Sequence, residues 1–101
     1  MAQVQTLYWQ EIPSLVEARE GQELHKVQLS QRFQELIDLV ATNKGLGESE
    51  AYLEQWSKGP RQVREGDAKT VAEAVANEFE GQYDAIRKAQ LVAVRTPKEQ
   101  G

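Results

Sequence analysis

Residues 4–11 are rich in β-branched and aromatic types, with Leu7 and Trp9 on one side of an extended chain and Val4, Thr6 and Tyr8 on the other. This pattern predicts a strand with both faces at least partly covered. Ile12-Pro13-Ser14 interrupts it, because proline fixes φ and removes a ladder donor, and an extended pattern resumes over residues 15–19. The two runs make a hairpin near residues 4–19, with Pro13 close to its turn.

Arg19-Glu20-Gly21-Gln22 breaks the chain, after which Leu24, Leu29, Phe33, Leu36, Ile37 and Val40 recur at helical spacing. Gln31, Gln34, Glu35 and Asp38 form the opposite, solvated face, and Asn43-Lys44-Gly45 supplies a C-terminal stop. This first helix packs by one stripe. Ser49 is suited to cap a short second helix, with Glu50 at the positive end of its dipole and Tyr52, Leu53 and Trp56 as an apolar patch ended by Gly59-Pro60. Residues 61–64, centred on Val63, offer a third, edge strand before the turn Glu65-Gly66-Asp67. Asp67 caps a last helix in which Val71, Ala74, Val75, Phe79, Tyr83 and Ile86 follow the i, i+3, i+4 rule. That helix is expected to run to about Val92, with Pro97 blocking continuation and residues 96–101 a disordered polar tail.

A two-stranded hairpin alone is marginal in water, so the helices must cover the sheet. The expected fold is a single α+β domain over residues 1–95, in the order ββααβα: a two- to three-stranded antiparallel sheet, with the hairpin near 4–19 and the optional edge strand at 61–64, against three helices. Without the third strand the hairpin edges stay open, which favours pairing with another chain.

Composition narrows the function more than it identifies it. With 40% hydrophobic and 28% charged residues the chain matches an ordinary globular domain, and no apolar run is long enough to cross a bilayer. No cysteine is present, which removes disulfide, thiolate and cysteine–metal chemistry and fits a cytoplasmic address. Twelve basic against sixteen acidic residues give a net charge of −4, which disfavours nucleic acid as a partner. The densest basic stretch, Lys58, Arg61 and Arg64, reads as solvated loop charge.

No side-chain set announces catalysis. His25 is the sole histidine, placed by this reading near the start of the first helix, and a lone imidazole makes neither a metal site nor a triad with the scattered serines. The glycines match neither phosphate-cradling fingerprint, and Glu48, Glu50 and Glu54 are accounted for by the helix dipole and solvation. No cofactor and no metal are therefore expected. The aromatics admit two readings, one shared core or an interface anchored by Trp9, Tyr52 and Trp56. Arg32 and Arg87 lie beside apolar stripes and can pair with Asp38 or Asp84 or reach an acidic partner group.

Several segments in order resemble a small bacterial family described as a virulence factor. They are Tyr8-Trp9-x-x-Ile12-Pro13, Leu29-Ser30-x-Arg32-Phe33 with Ile37-Asp38, Ala51-Tyr52-Leu53-x-x-Trp56, Glu65-Gly66-Asp67, and Tyr83-Asp84 with Arg87. The resemblance spans nearly the whole chain, although Gln10-Glu11 stands where the family pattern has Arg-Asp. It implies a stand-alone protein of this size, and the family's association with helical-repeat and scaffold modules favours protein binding over catalysis. The leading expectation is a non-catalytic interaction or accessory module presenting Trp9, Tyr52, Trp56 and Arg32 to another protein, or self-associating, without membrane or nucleic acid. The alternative is a small-ligand protein or enzyme subunit whose pocket, between sheet and helices, draws polar groups from Arg32, Asp38, Tyr83, Asp84 and Arg87.

Overall fold

In a computed structural model, which describes residues 1–46 and 50–100 and the side chains as far as residue 91, the chain runs β1 Ala2–Trp9, β2 Ile12–Glu20, β3 Glu23–Gln28, α1 Gln31–Asn43, α2 Glu50–Glu54, β4 Trp56–Lys58, β5 Gln62–Arg64, α3 Ala68–Gly81 and α4 Tyr83–Gln100. The α+β class holds, but the antiparallel sheet has five strands, not two or three, and the described residues form four helices. Its path is β3-β2-β1-β4, with β5 also on β1.

The predicted hairpin is present. Trp9 pairs with Ile12 across Gln10-Glu11, and Pro13 sits opposite Tyr8 beside the turn. Register slips by one residue between Leu7 and Tyr8, leaving Ser14 as the unpaired extra residue of a bulge. Its carbonyl accepts the Leu29 N–H at 2.9 Å, tying the entry to α1 onto β2. Gln10 has φ 56°, a left-handed conformation unusual for a non-glycine residue. It is held from three directions: its N–H donates to Gln55 O (3.0 Å), its Nε2 to Gln55 Oε1 (3.2 Å), and its Oε1 accepts from Lys44 Nζ (2.8 Å).

The strand missed by periodicity is β3. Gly21, at φ 60°, takes the first central position of a two-residue hairpin that places Glu23 opposite Glu20. Leu24 and His25 therefore lie in a strand and not at a helix start, and α1 begins only at Gln31. From there the predicted stripe is correct, since Phe33, Leu36, Ile37, Val40 and Ala41 are buried and Gly45, at φ 72°, follows the helix end.

Edge strand β5 forms at the predicted place, pairing Gln62, Val63 and Arg64 with Val4, Gln3 and Ala2. Ahead of it Trp56 belongs to β4, not to the second helix, and pairs with Trp9. Together β4 and β5 make one outer strand interrupted at Gly59-Pro60-Arg61. The interruption is stitched to β1 by Gly59 N–H to Thr6 O (2.9 Å) and Gln5 Nε2 to Gly59 O (2.9 Å). The proposed cap Ser49 lies outside the described residues.

Asp67 caps α3 as predicted, its side chain accepting the Thr70 N–H at 2.7 Å. The buried stripe is Ala68, Val71, Ala72, Val75 and Ala76, with Ala74 exposed, so that small side chains bring the helix close to Ala2 and Ala18 of the sheet. The single last helix read from the sequence is two: α3 ends at Gly81, a poor helix former, and α4 starts at Tyr83 and continues past Val92. The break lets α3 cross β1, β2 and β3 while α4 packs on α1.

Candidate functional site

The aromatic candidates divide between core and partial exposure. Trp9 is fully buried, its ring 5.4 Å from that of Tyr52 and its Nε1–H donating to Tyr52 O at 2.9 Å. Tyr52 and Trp56, both half-buried, meet edge to face at 6.3 Å and pack on the core. The three thus form one cluster that docks α2 and β4 onto the end of the sheet, and Trp9 has no exposed surface to offer a partner.

Arg32 pairs with neither Asp38 nor Asp84. Its guanidinium donates to Glu80 Oε1 (3.0 Å) and Glu80 O (2.7 Å) and stands 4.4 Å from the Tyr83 ring centroid. The same carboxylate accepts from Ser30 N–H (2.7 Å) and Ser30 Oγ (2.8 Å). Ser30 makes no side-chain cap bond of its own, so Glu80, from the end of α3, satisfies the N-terminus of α1. Burial pushes the Glu80 carboxyl up, but the hydrogen bonds from Ser30 and Arg32 outweigh it and hold the group below its ordinary value. Asp38 accepts from Gln34 Nε2 (3.1 Å) on the exposed face of α1, Tyr83 stacks edge-on against Phe33 at 5.1 Å, and Asp84 and Arg87 lie exposed on α4. The arrangement is a structural clamp.

Of four surface cavities among the described residues, none is lined by Arg32, Asp38, Tyr83, Asp84 or Arg87. The largest of these four, about 520 Å³, opens beside the β3–α1 loop and Phe33. Among the described residues no group of three or more His, Asp or Glu is placed to hold a metal ion, and no helix is long and apolar enough to cross a membrane.

The feature that sequence reasoning missed is the sheet's second face. On one side, where Val4, Thr6, Val16 and Ala18 are buried, α3 packs across β1, β2 and β3 and α1 meets β2. On the other side, register aligns Val63-Gln3-Arg19-Leu24 as one row across β5, β1, β2 and β3, Gln5-Glu17-Lys26 as a second, and Lys58-Leu7-Leu15-Gln28 as a third. Leu24 and Val63 are 46% and 62% exposed, and Leu7 and Leu15 are half-buried. Two shallow grooves of about 180 and 190 Å³ run over these rows and share Gln5, Glu17 and Lys58, with Arg61 and Arg19 bordering one and Lys26 the other. Lys58 Nζ meets Glu17 Oε1 at 3.0 Å. The signal that could have found this face was the alternation Leu24, Lys26, Gln28 against His25 and Val27, read as a strand.

Arg64, last of the basic residues at 58, 61 and 64, points to the helical side and donates to Glu78 from both terminal guanidinium nitrogens, at 2.7 and 3.0 Å. The hydrogen bond and charge of Arg64 keep the Glu78 carboxyl below its ordinary range.

No curated protein and no solved structure matches this chain. The family model described as "Virulence factor" matches residues 7–92, from near the end of β1 into α4, and the chain therefore belongs to the virulence factor family.

Proposed function

We propose that this domain is a non-catalytic protein-interaction module that binds through the uncovered face of its sheet. The observation that carries the reading is the row arrangement of Leu7, Leu15, Leu24 and Val63 on a face that neither α1 nor α3 covers. Leu7 and Leu15 adjoin in one row and Leu24 and Val63 flank another at its two ends, and aliphatic side chains left on an open sheet are typical of surfaces that close on a partner. The interaction surface read from the sequence, around Trp9, Tyr52 and Trp56, moves to this face because that cluster is engaged in holding α2 and β4. The unit that acts is the domain over about residues 1–95, and the bacterial cytoplasm is the location proposed, in keeping with a chain free of cysteine.

The test is affinity capture from native extract with the wild type beside a Leu24→Gln/Val63→Gln variant. Both side chains are exposed, so circular dichroism and Tm should be unchanged while the captured partner is lost. A variant that keeps the partner sinks the reading, and recovery of a second copy of this chain alone would make the face a self-association surface.

A further inference from the structure

We infer that the occupant of this face is an acidic, extended segment of another protein, an inference that rests on the reading of the open sheet as the binding surface. Charge is distributed unevenly over the molecule. The chain carries 16 acidic and 12 basic residues, yet the rows and their border hold Arg19, Lys26, Lys58 and Arg61 against a single carboxylate, Glu17. Glu17 is already neutralised by Lys58 at 3.0 Å. Arg19, Lys26 and Arg61 are exposed and have no ion-pair partner among the described residues; the unpaired cations of the helices, Lys69, Arg87 and Lys88, lie away from these rows. A cluster of cations left unpaired on one face of a net-negative protein attracts and orients an acidic partner.

Shape and chemistry narrow the partner further. The two grooves, of about 180 and 190 Å³, lie across the strands and suit side chains of an extended segment, not a folded body. Leu24 adjoins Arg19 in its row and Leu7 adjoins Lys58 in the other, so the fitting segment sets carboxylates beside aliphatic residues. Nucleic acid suits the face less well. Sheet surfaces that bind single strands stack bases on aromatic side chains, and none of the three rows contains one, while Trp9 and Trp56 of the next row are engaged with Tyr52.

The experiment measures fluorescence anisotropy of a labelled peptide of repeated Leu-Glu-Asp triplets, beside a Leu-Lys-Ser peptide of equal length and an oligouridylate. The acidic peptide should bind preferentially and weaken as salt is added, and Arg19→Glu/Arg61→Glu should cost about tenfold or more in affinity with the fold intact by circular dichroism. Tighter binding of the oligouridylate or of the basic peptide, or no response to charge reversal, overturns the inference. The capture assay separates the two claims. If Leu24→Gln/Val63→Gln loses its partner while Arg19→Glu/Arg61→Glu keeps it, the face stands and the acidic occupant falls; if both variants keep it, the face itself is wrong.

Discussion

The indole Nε1–H of Trp9 donates to the backbone carbonyl of Tyr52 at 2.9 Å, joining the end of the first strand to a helix 43 residues later in the chain. Trp9 is fully buried, so this bond satisfies the one polar atom that its burial would otherwise strand. Trp9→Phe should therefore destabilise the fold by about 1–3 kcal/mol, and Trp9→Ala by about 3–5 kcal/mol, in guanidinium denaturation. A near-neutral Trp9→Ala would show that the α2–β4 end does not fold with the rest.

Trp56 distinguishes scaffold from docking surface. It packs half-buried on Tyr52 and lies opposite Trp9 in the ladder. Trp56→Ala should cost about 1–2 kcal/mol, less than a fully buried tryptophan, and lower Tm measurably. Unchanged stability with loss of the captured partner would return this residue to the interface.

Glu80 gives the molecule an acid sensitivity with a defined sign. Its carboxyl lies lower in the folded protein than the ordinary glutamate value of 4.5, so its bonds to Ser30 and Arg32 contribute fully above that value and are lost as pH falls through the folded one. Glu80→Gln should lower Tm at neutral pH and flatten the fall in Tm on acidification. Parallel Tm–pH curves for wild type and variant would show that the clamp contributes nothing.

Two glycines should respond in opposite directions to alanine. A Cβ at Gly59 would stand 2.8 Å from Cε2 of Tyr8, whose ring is itself set edge-on against Phe79 at 6.2 Å. Gly59→Ala should destabilise by about 1–3 kcal/mol. Gly81, at the end of α3, has nothing within 4 Å of its Cβ position, and Gly81→Ala should be neutral or stabilise by up to about 1 kcal/mol in the same assay.

What was legible in the sequence was what local chemistry decides. The stripe Phe33, Leu36, Ile37, Val40 needed only helical spacing, the Asp67 cap only its own side chain, and β5 only a short extended run before Gly66. Residues 23–28 escaped because Leu24 and Leu29 happen to extrapolate the helical period backwards, while the hairpin at Gly21 that makes them a strand is a tertiary pairing with β2. Trp56 has the spacing of a helical neighbour of Tyr52, and only its ladder with Trp9 shows otherwise. Arg32 was offered Asp38 on its own helix and Asp84 in the last one, yet its partner is Glu80, four residues before Asp84, and spacing alone does not choose between two carboxylates one helical turn apart. The uncovered face was hidden for the same reason, since its rows exist only once four strands are in register.

The gap at Gly59-Pro60-Arg61 also governs what the sheet cannot do. A strand margin offering a long unbroken ladder is a template on which identical molecules zip into fibrils, and proline and lysine at such a margin are common safeguards. Here the border beyond β1 is cut into two three-residue pieces, with Gly59 turned back onto Thr6 and Pro60 lacking an amide hydrogen. Runaway polymerisation is blocked along that flank, which leaves the molecule free to keep aliphatic side chains on show nearby.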